Sequence, residues 1–321
     1  MAKRLAVYVR GDRVYLAIVE NNKVISAFSK IINVSIVTDE AITQTLKEMI
    51  KTNNIKSTDE VCMTVLDGKC LSQTIDTREM HDQEFRNNLP YEFKDYISRG
   101  SEEEYIFDYQ TLPQNQKSKL KKSLVYAIAA PRVEILKIVD IAEDAHLDMY
   151  RLVPERVAYG DILAKAGRDA KRTIILDVSK TRVSFKVFNG RACVAMNEMN
   201  DGLGDIDMSM LSRSFGGSMF EGEEGNEDLQ EIMDNCRPAI DKIIGKVQDY
   251  IDFYMNNKSI SEKTPIFLAG EGAVLAPFVK ELSVKTHRAC KNIAMLIDGG
   301  INDYNAAMMA PAIGSAYEIK E

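Results

Sequence analysis

The same strand grammar occurs twice in this chain, and a chain that repeats a sheet-forming unit is committed to two similar halves. In the first copy, residues 5–20 form two apolar runs around a turn at Gly11-Asp12, and a second turn at Asn21-Asn22 leads into a third run over 23–29. Apolar runs separated by tight turns predict a three-stranded antiparallel meander. In the second copy, residues 173–179 are followed by a turn near Lys180-Thr181, a run over 182–188, the hairpin pair Asn189-Gly190 and a run over 191–197. Sliding one copy onto the other aligns Arg13 with Arg182, Val14 with Val183, Leu16 with Phe185, Ile18 with Val187 and Asn21 with Gly190. Antiparallel strands packed on one face account for the alternation, and the two copies read as a duplication.

Helical patterns separate and follow the meanders. Asp39–Thr52 places Ala41, Ile42, Leu46, Met49 and Ile50 on one stripe, with Thr38 or Asp39 as its cap. Residues 61–66 read as a strand, and 154–165 as a helix with Pro154 in its first position and a periodic apolar face. Arg237–Asn256 reads as a long amphipathic helix whose stripe includes Ile240, Ile243, Ile244, Val247, Ile251 and Tyr254. Residues 265–269 read as a strand ending in Gly270-Glu271-Gly272, a turn that opens another helix. Meander, helix, strand, helix, strand in each half is an α/β pattern with a mixed sheet. Residues 216–228, rich in Gly and Glu, read as a surface loop.

The 321 residues suffice for two domains or one bilobed one. A net charge of −7 leaves no basic footprint for nucleic acid. No segment approaches the roughly 18 apolar residues of a membrane-spanning helix, and the Met-Ala-Lys-Arg-Leu start lacks the apolar core of a signal peptide. Work at a membrane would therefore require a partner to bring the chain there. Cys62, Cys70, Cys193, Cys236 and Cys290 lie far apart and read as reduced and mostly buried. His81, His146 and His287 are isolated, without metal-ligand spacing.

Two similar α/β halves, each opening with strand–turn–strand, resemble the actin-like (ribonuclease-H-like) two-lobed superfold of actin and the sugar kinases. Several stretches are similar to the PilM family within it. Ser72-Gln-Thr-Ile-Asp76 is followed by 84–97, which contains Leu89-Pro90-Tyr91-Glu92-Phe93; then come a strand over 105–112 and a strand–Ala–Pro–helix stretch from 124 to about 148. Their order resembles the inserted βαββα subdomain of PilM and FtsA. Residues 270–282 resemble the family's Gly-rich adenosine turn, and 305–317, with Ala310-Pro-Ala-Ile-Gly-Ser-Ala316, its closing helix. The resemblance covers nearly the whole chain. It implies a first lobe over 1–67 and 147–170, the inserted subdomain over 68–146, and a second lobe over 171–321 with a small subdomain around 203–240.

The resemblance also implies ATP and Mg²⁺ in a cleft between the lobes, with the phosphates held by hairpin amides and helix N-termini. Here the sequence departs from the family, whose hairpins both carry Asp-Ile-Gly and small hydroxyl residues. The second hairpin has Asp177-Val178-Ser179-Lys180-Thr181: Asp177 is kept and would hold a hydrated metal, whereas the Gly has become Ser179. In the first hairpin the Asp is Tyr8 and the Gly is Arg10, followed by Gly11. Two readings stay open. Arg10, Gly11, Ser179, Lys180 and Thr181 hold phosphates by charge and turn amides, joined by Gly202 and by Gly270, Glu271 and Gly272. Alternatively, Arg10 occupies the site and replaces the nucleotide with a structural contact. No residue stands out as a water-orienting base, so no catalytic residue is named and any ATPase activity is expected to be weak.

In function, the resemblance implies a cytoplasmic scaffold of type IV pilus or type II secretion assembly. It would be recruited to the inner face of the cytoplasmic membrane by the tail of a PilN-like single-pass protein, docked between the first subdomain and the inserted one, with an assembly motor as a further partner. The alternatives are a small-molecule kinase of the same superfold, for which no motif declares a sugar pocket, and an FtsA-like polymerising protein. The latter carries a C-terminal amphipathic membrane helix that residues 316–321 do not resemble.

Overall fold

The computed structural model describes residues 3–56, 60–78, 81–112, 122–169, 171–204 and 231–319. The first meander is β1 (Lys3–Arg10), β2 (Arg13–Glu20) and β3 (Lys23–Ile31). Asn21 and Asn22 both take positive φ (54° and 57°), the conformation that a two-residue hairpin turn demands and that Asn tolerates. After α1 (Asp39–Thr52), capped by a Thr38 side chain that accepts the Ala41 N–H, β4 (Glu60–Val65) pairs parallel to β1. Ile42, Leu46 and Met49 of the expected α1 stripe are buried.

The next elements are β5 (Leu71–Arg78), α2 (Asp82–Glu92), β6 (Tyr105–Leu112), β7 (Lys122–Pro131) and α3 (Arg132–Asp144). Their strands form a separate antiparallel sheet in the order β5-β7-β6, with Ile75, Phe85, Leu89, Phe93 and Val125 in its own small core. This is the strand, helix, strand, strand, helix order of the resemblance. α2 ends at Glu92, short of the stretch to 97, and the Phe93 N–H donates back to the Pro90 carbonyl (3.2 Å). A proline near the helix end lacks a donor, and the chain tightens into turns there.

The chain then returns through β8 (Met149–Pro154) and α4 (Glu155–Lys165) to a second meander, β9 (Arg172–Val178), β10 (Val183–Asn189) and β11 (Ala192–Met199). After α5 (Arg237–Asn256) come β12 (Ile266–Gly270), α6 (Glu271–Val274), α7 (Ala276–Thr286), β13 (Cys290–Asn292), α8 (Asp303–Met308) and α9 (Ala310–Ser315). All six apolar residues expected along α5 are buried. The helix after Gly270 is broken at Leu275 and the closing helix at Met309, because Pro277 and Pro311 each start a new helix. The loop expected over 216–228 lies outside the described residues, as does most of the region around 203–240.

The two large sheets have the same topology, β3-β2-β1-β4-β8 and β11-β10-β9-β12-β13. In each, the first meander strand also pairs parallel to the strand after a helix, and that strand pairs parallel to a last one. The pairs Val9–Val14 and Val178–Val183 close equivalent turns, matching the sequence alignment.

α4 differs from its expectation. Pro154 ends β8 rather than opening the helix, and all residues from Glu155 to Ala164 are buried, so no apolar face alternates with a wet one. The helix is enclosed by both halves and packs closely on α9. A Cβ on Gly314 of α9 would collide with the Ala158 carbonyl, and one on Gly160 of α4 with the Arg191 carbonyl. We expect Gly314→Ala to destabilise the protein by about 2 kcal/mol through overpacking, against a helix-propensity gain of about 1 kcal/mol. A urea midpoint unchanged or raised in the variant would contradict the α4–α9 contact.

Candidate functional site

The ends of β1 and β9 face each other between the halves. The Arg10 guanidinium crosses from the first to the second, and its Nη2 donates to Asp177 Oδ1 at 2.7 Å; the two side chains are 10% and 1% exposed. The Tyr159 hydroxyl of α4 donates to the other Asp177 oxygen at 2.8 Å. Burial alone would raise the Asp177 carboxyl, but Arg10, with Lys186 and Arg182, outweighs it and holds it at about 2.

A second set of charges surrounds the start of α4. Glu155, fully buried, accepts from the Tyr8 hydroxyl at 2.5 Å and from Arg182 Nη2 at 2.7 and 2.9 Å. Asp67, just after β4 and also fully buried, accepts from the Arg156 backbone N–H and from Arg156 Nε, both at 2.9 Å. It therefore caps the α4 N-terminus from a distant part of the chain, where a negative charge is favoured. Lys186 of β10, with no exposed side-chain surface, lies 3.3 Å from the other Asp67 oxygen. Glu155 is thus tied to the second half through Arg182, and Asp67 through Lys186.

Of the residues picked out in the sequence, Arg10, Asp177, Gly270 and Glu271 come together. Gly270 has φ +70°, and a Cβ there would lie 2.8 Å from Asp177 Oδ1 and 3.2 Å from Arg10 Nη1, so the glycine lets β12 turn beside the ion pair. Glu271 is buried, which raises its carboxyl pKa although Arg10 opposes it, and its Oε2 has no hydrogen-bond partner. Gly11 supplies the positive φ (58°) of the first hairpin turn. Ser179 is committed to its own turn, since its N–H and Oγ both donate to the Arg182 carbonyl at 2.8 Å. Gly202 packs over that turn so closely that a Cβ would overlap the Ser179 and Lys180 backbone. A Cβ on Gly272 would sit 2.6 Å from Val178 Cβ. Lys180 is half-buried and Thr181 exposed.

Sequence reasoning passed over Asp67, Glu155, Arg156, Tyr159, Arg182 and Lys186. A faint signal existed for three of them: Glu155 and Arg156 open a segment that is otherwise mostly apolar, and Lys186 interrupts the apolar run of β10.

A second concave surface lies beside the inserted sheet. β6 and β8 are each the last strand of their sheet, and a cavity of about 460 Å³ lies between them. Its walls include Ile106 and Gln110 of β6, Tyr126 and Ile128 of β7, and Leu152 of β8. Gln110 Nε2 and the Tyr126 hydroxyl are buried without a hydrogen-bond partner. On the rim, Arg151 and Arg191 both bind the fully buried Asp161 of α4, at 2.9 and 2.6 Å. Apolar walls and two strand edges that pair with no further strand among the described residues are what an extended peptide requires.

Comparison with known proteins gives three kinds of result. The model of the family described as type IV pilus assembly protein PilM matches residues 16–299. No curated protein matches the sequence. Among solved structures, a chain of a PilM–PilN type IV pilus biogenesis complex is similar at TM-score 0.73 and 16% identity, over 97% of this chain and 96% of that one. The ethanolamine utilization protein EutJ from Carboxydothermus hydrogenoformans is similar at TM-score 0.54 and 14% identity (98% and 89% covered). MreB5 of Spiroplasma citri bound to AMPPNP is similar at TM-score 0.53 and 10% identity (98% and 95% covered). These likenesses establish the actin-like fold.

The Asp177 carboxyl predicts an acid dependence of stability. Its folded pKa lies below the roughly 3.9 of an unfolded Asp. Its contribution is therefore fully present above about pH 4 and is lost as the pH falls from there through about 2. We expect the urea midpoint of the wild type to fall more steeply across that window than that of an Arg10→Met/Asp177→Asn double variant. Parallel curves would show that the pair does not carry the linkage.

Proposed function

The chain belongs to the type IV pilus assembly protein PilM family, and we propose that it acts as a scaffold that docks the cytoplasmic tail of a PilN-like single-pass membrane protein. The observation that carries this reading is the groove between β6 and β8, each the last strand of its sheet among the described residues. A tail entering it as an extended strand satisfies its own backbone on an open edge and places alternate side chains against Ile106, Ile128 and Leu152.

Support from outside the chain is consistent with this. A chain of the same fold has been solved as part of a PilM–PilN complex. Among the described residues, no helix is long and apolar enough to cross a membrane. In this reading the protein sits at the cytoplasmic face of the membrane because its partner is anchored there. The family is one of pilus assembly, and the reading is made for pili rather than for type II secretion. An assembly motor as a further partner rests on the resemblance alone.

The test is fluorescence anisotropy with a labelled peptide of the PilN-like tail from the same genome. Saturable binding is expected, weakened at least tenfold (about 1.4 kcal/mol) by Ile106→Asp or Leu152→Asp. Tyr96→Ala, at an exposed position away from the groove, is expected to bind as the wild type does. Absence of binding to the folded wild-type protein would sink the reading. Loss of binding in Tyr96→Ala but not in the groove variants would move the site elsewhere.

A further inference from the structure

We infer that the Arg10 guanidinium is the resident cation of the interlobe cleft, and that this chain joins its halves without a metal ion or a nucleotide. The inference is independent of tail docking and rests on three observations.

The first is position. Under the alignment that matches Val9–Val14 with Val178–Val183, Arg10 stands opposite Ser179 and Tyr8 opposite Asp177. The cleft therefore holds one hairpin carboxylate, and the positive charge meeting it at 2.7 Å comes from the first hairpin itself. A magnesium ion held by Asp177 would require that guanidinium to leave.

The second is charge. Four buried carboxylates, Asp67, Glu155, Asp177 and Glu271, face four cations from Arg10, Arg156, Arg182 and Lys186. Each of these cations already has a carboxylate partner. Lys180, beside the second hairpin turn, draws down the Glu271 carboxyl. A magnesium nucleotide is itself anionic, so it would enter beside Glu271 and Asp177, where the four buried cations are already paired with carboxylates. Phosphate sites instead offer free guanidinium forks and free turn amides, and here the Ser179 amide is bonded to the Arg182 carbonyl.

The third is space. Arg10 Nη1 and Glu271 Oε2 are both buried without a hydrogen-bond partner, and a Cβ on Gly270 would come within 3.2 Å of Nη1. The β12 turn thus closes over the guanidinium, and the space beside Asp177 is filled by protein atoms rather than left open for a triphosphate.

Removing Arg10 would uncover Asp177 as a cation site. The experiment pairs calorimetry with thermal melting. Wild-type protein titrated with MgATP or MgADP to millimolar concentration is expected to give no saturable heat, and its melting temperature should not move. Arg10→Ala is expected to melt lower than the wild type, and millimolar magnesium or guanidinium should restore several degrees to it while leaving the wild type unchanged. Saturable nucleotide binding by the wild type would overturn the inference and make Arg10 a phosphate ligand. Equal response of variant and wild type to magnesium would overturn it as well. If the variant does not fold, the wild-type titration decides alone.

Discussion

The carboxylates buried between the halves govern the rest of the architecture. An ionised carboxylate removed from water costs several kcal/mol unless a cation and further hydrogen-bond donors replace its hydration. Asp67, Glu155 and Asp177 each obtain these from more than one element. Glu155 needs Tyr8 of β1 and Arg182 of the second hairpin; Asp67 needs Arg156 of α4 and Lys186 of β10. The halves are thus held in one relative position by the requirement that these charges be met together. That requirement also explains a helix buried on every side: α4 keeps polar residues because each polar group it buries has a partner.

The same helix connects the cleft to the groove. Asp161, nearly two turns beyond Glu155 on the same helix, binds Arg151 on the groove rim and Arg191 of the second half, while Arg151 also donates to the Ser315 and Tyr317 carbonyls near the C-terminal end of the chain. The wall formed by β8 is therefore fixed from behind by contacts that reach across the molecule. A rigid open edge lowers the ordering cost of binding a flexible tail, because only the tail has to be ordered. In the proposed scaffold, the charges between the halves serve the docking edge by keeping it in place.

Much of the fold was legible because it is written in local patterns. The meanders follow period-two alternation interrupted by Gly11-Asp12, Asn21-Asn22 and Asn189-Gly190, and the stripes of α1 and α5 follow the helical period; each is a short-range signal. The turn at Gly270 was legible for the same reason. α4 was misread because a periodic apolar face presupposes one wet side, and this helix has none. The ion pairs were illegible because the partners, such as Asp67 and Arg156 or Arg10 and Asp177, are far apart in the chain and carry no local mark. Arg10 shows the limit best. Its identity revealed a departure from the family hairpin, but whether it would grasp a phosphate or a carboxylate depended on where β9 places Asp177. A docking groove between the first subdomain and the inserted one was implied by the resemblance alone, whereas the walls of the cavity between β6 and β8 depend on which two strands end their sheets.

The most direct measurement of the account is amide hydrogen exchange, followed segment by segment, on one protein sample with and without each ligand. With the PilN-like tail peptide, exchange should slow in β6 and β8 and stay unchanged around residues 8–12 and 177–182. With millimolar MgATP it should change in neither place. Slowed exchange around residues 8–12, 177–182 and 270–274 on adding nucleotide would contradict the account, since it would mean that the cleft still receives the ligand that Arg10 is held to replace.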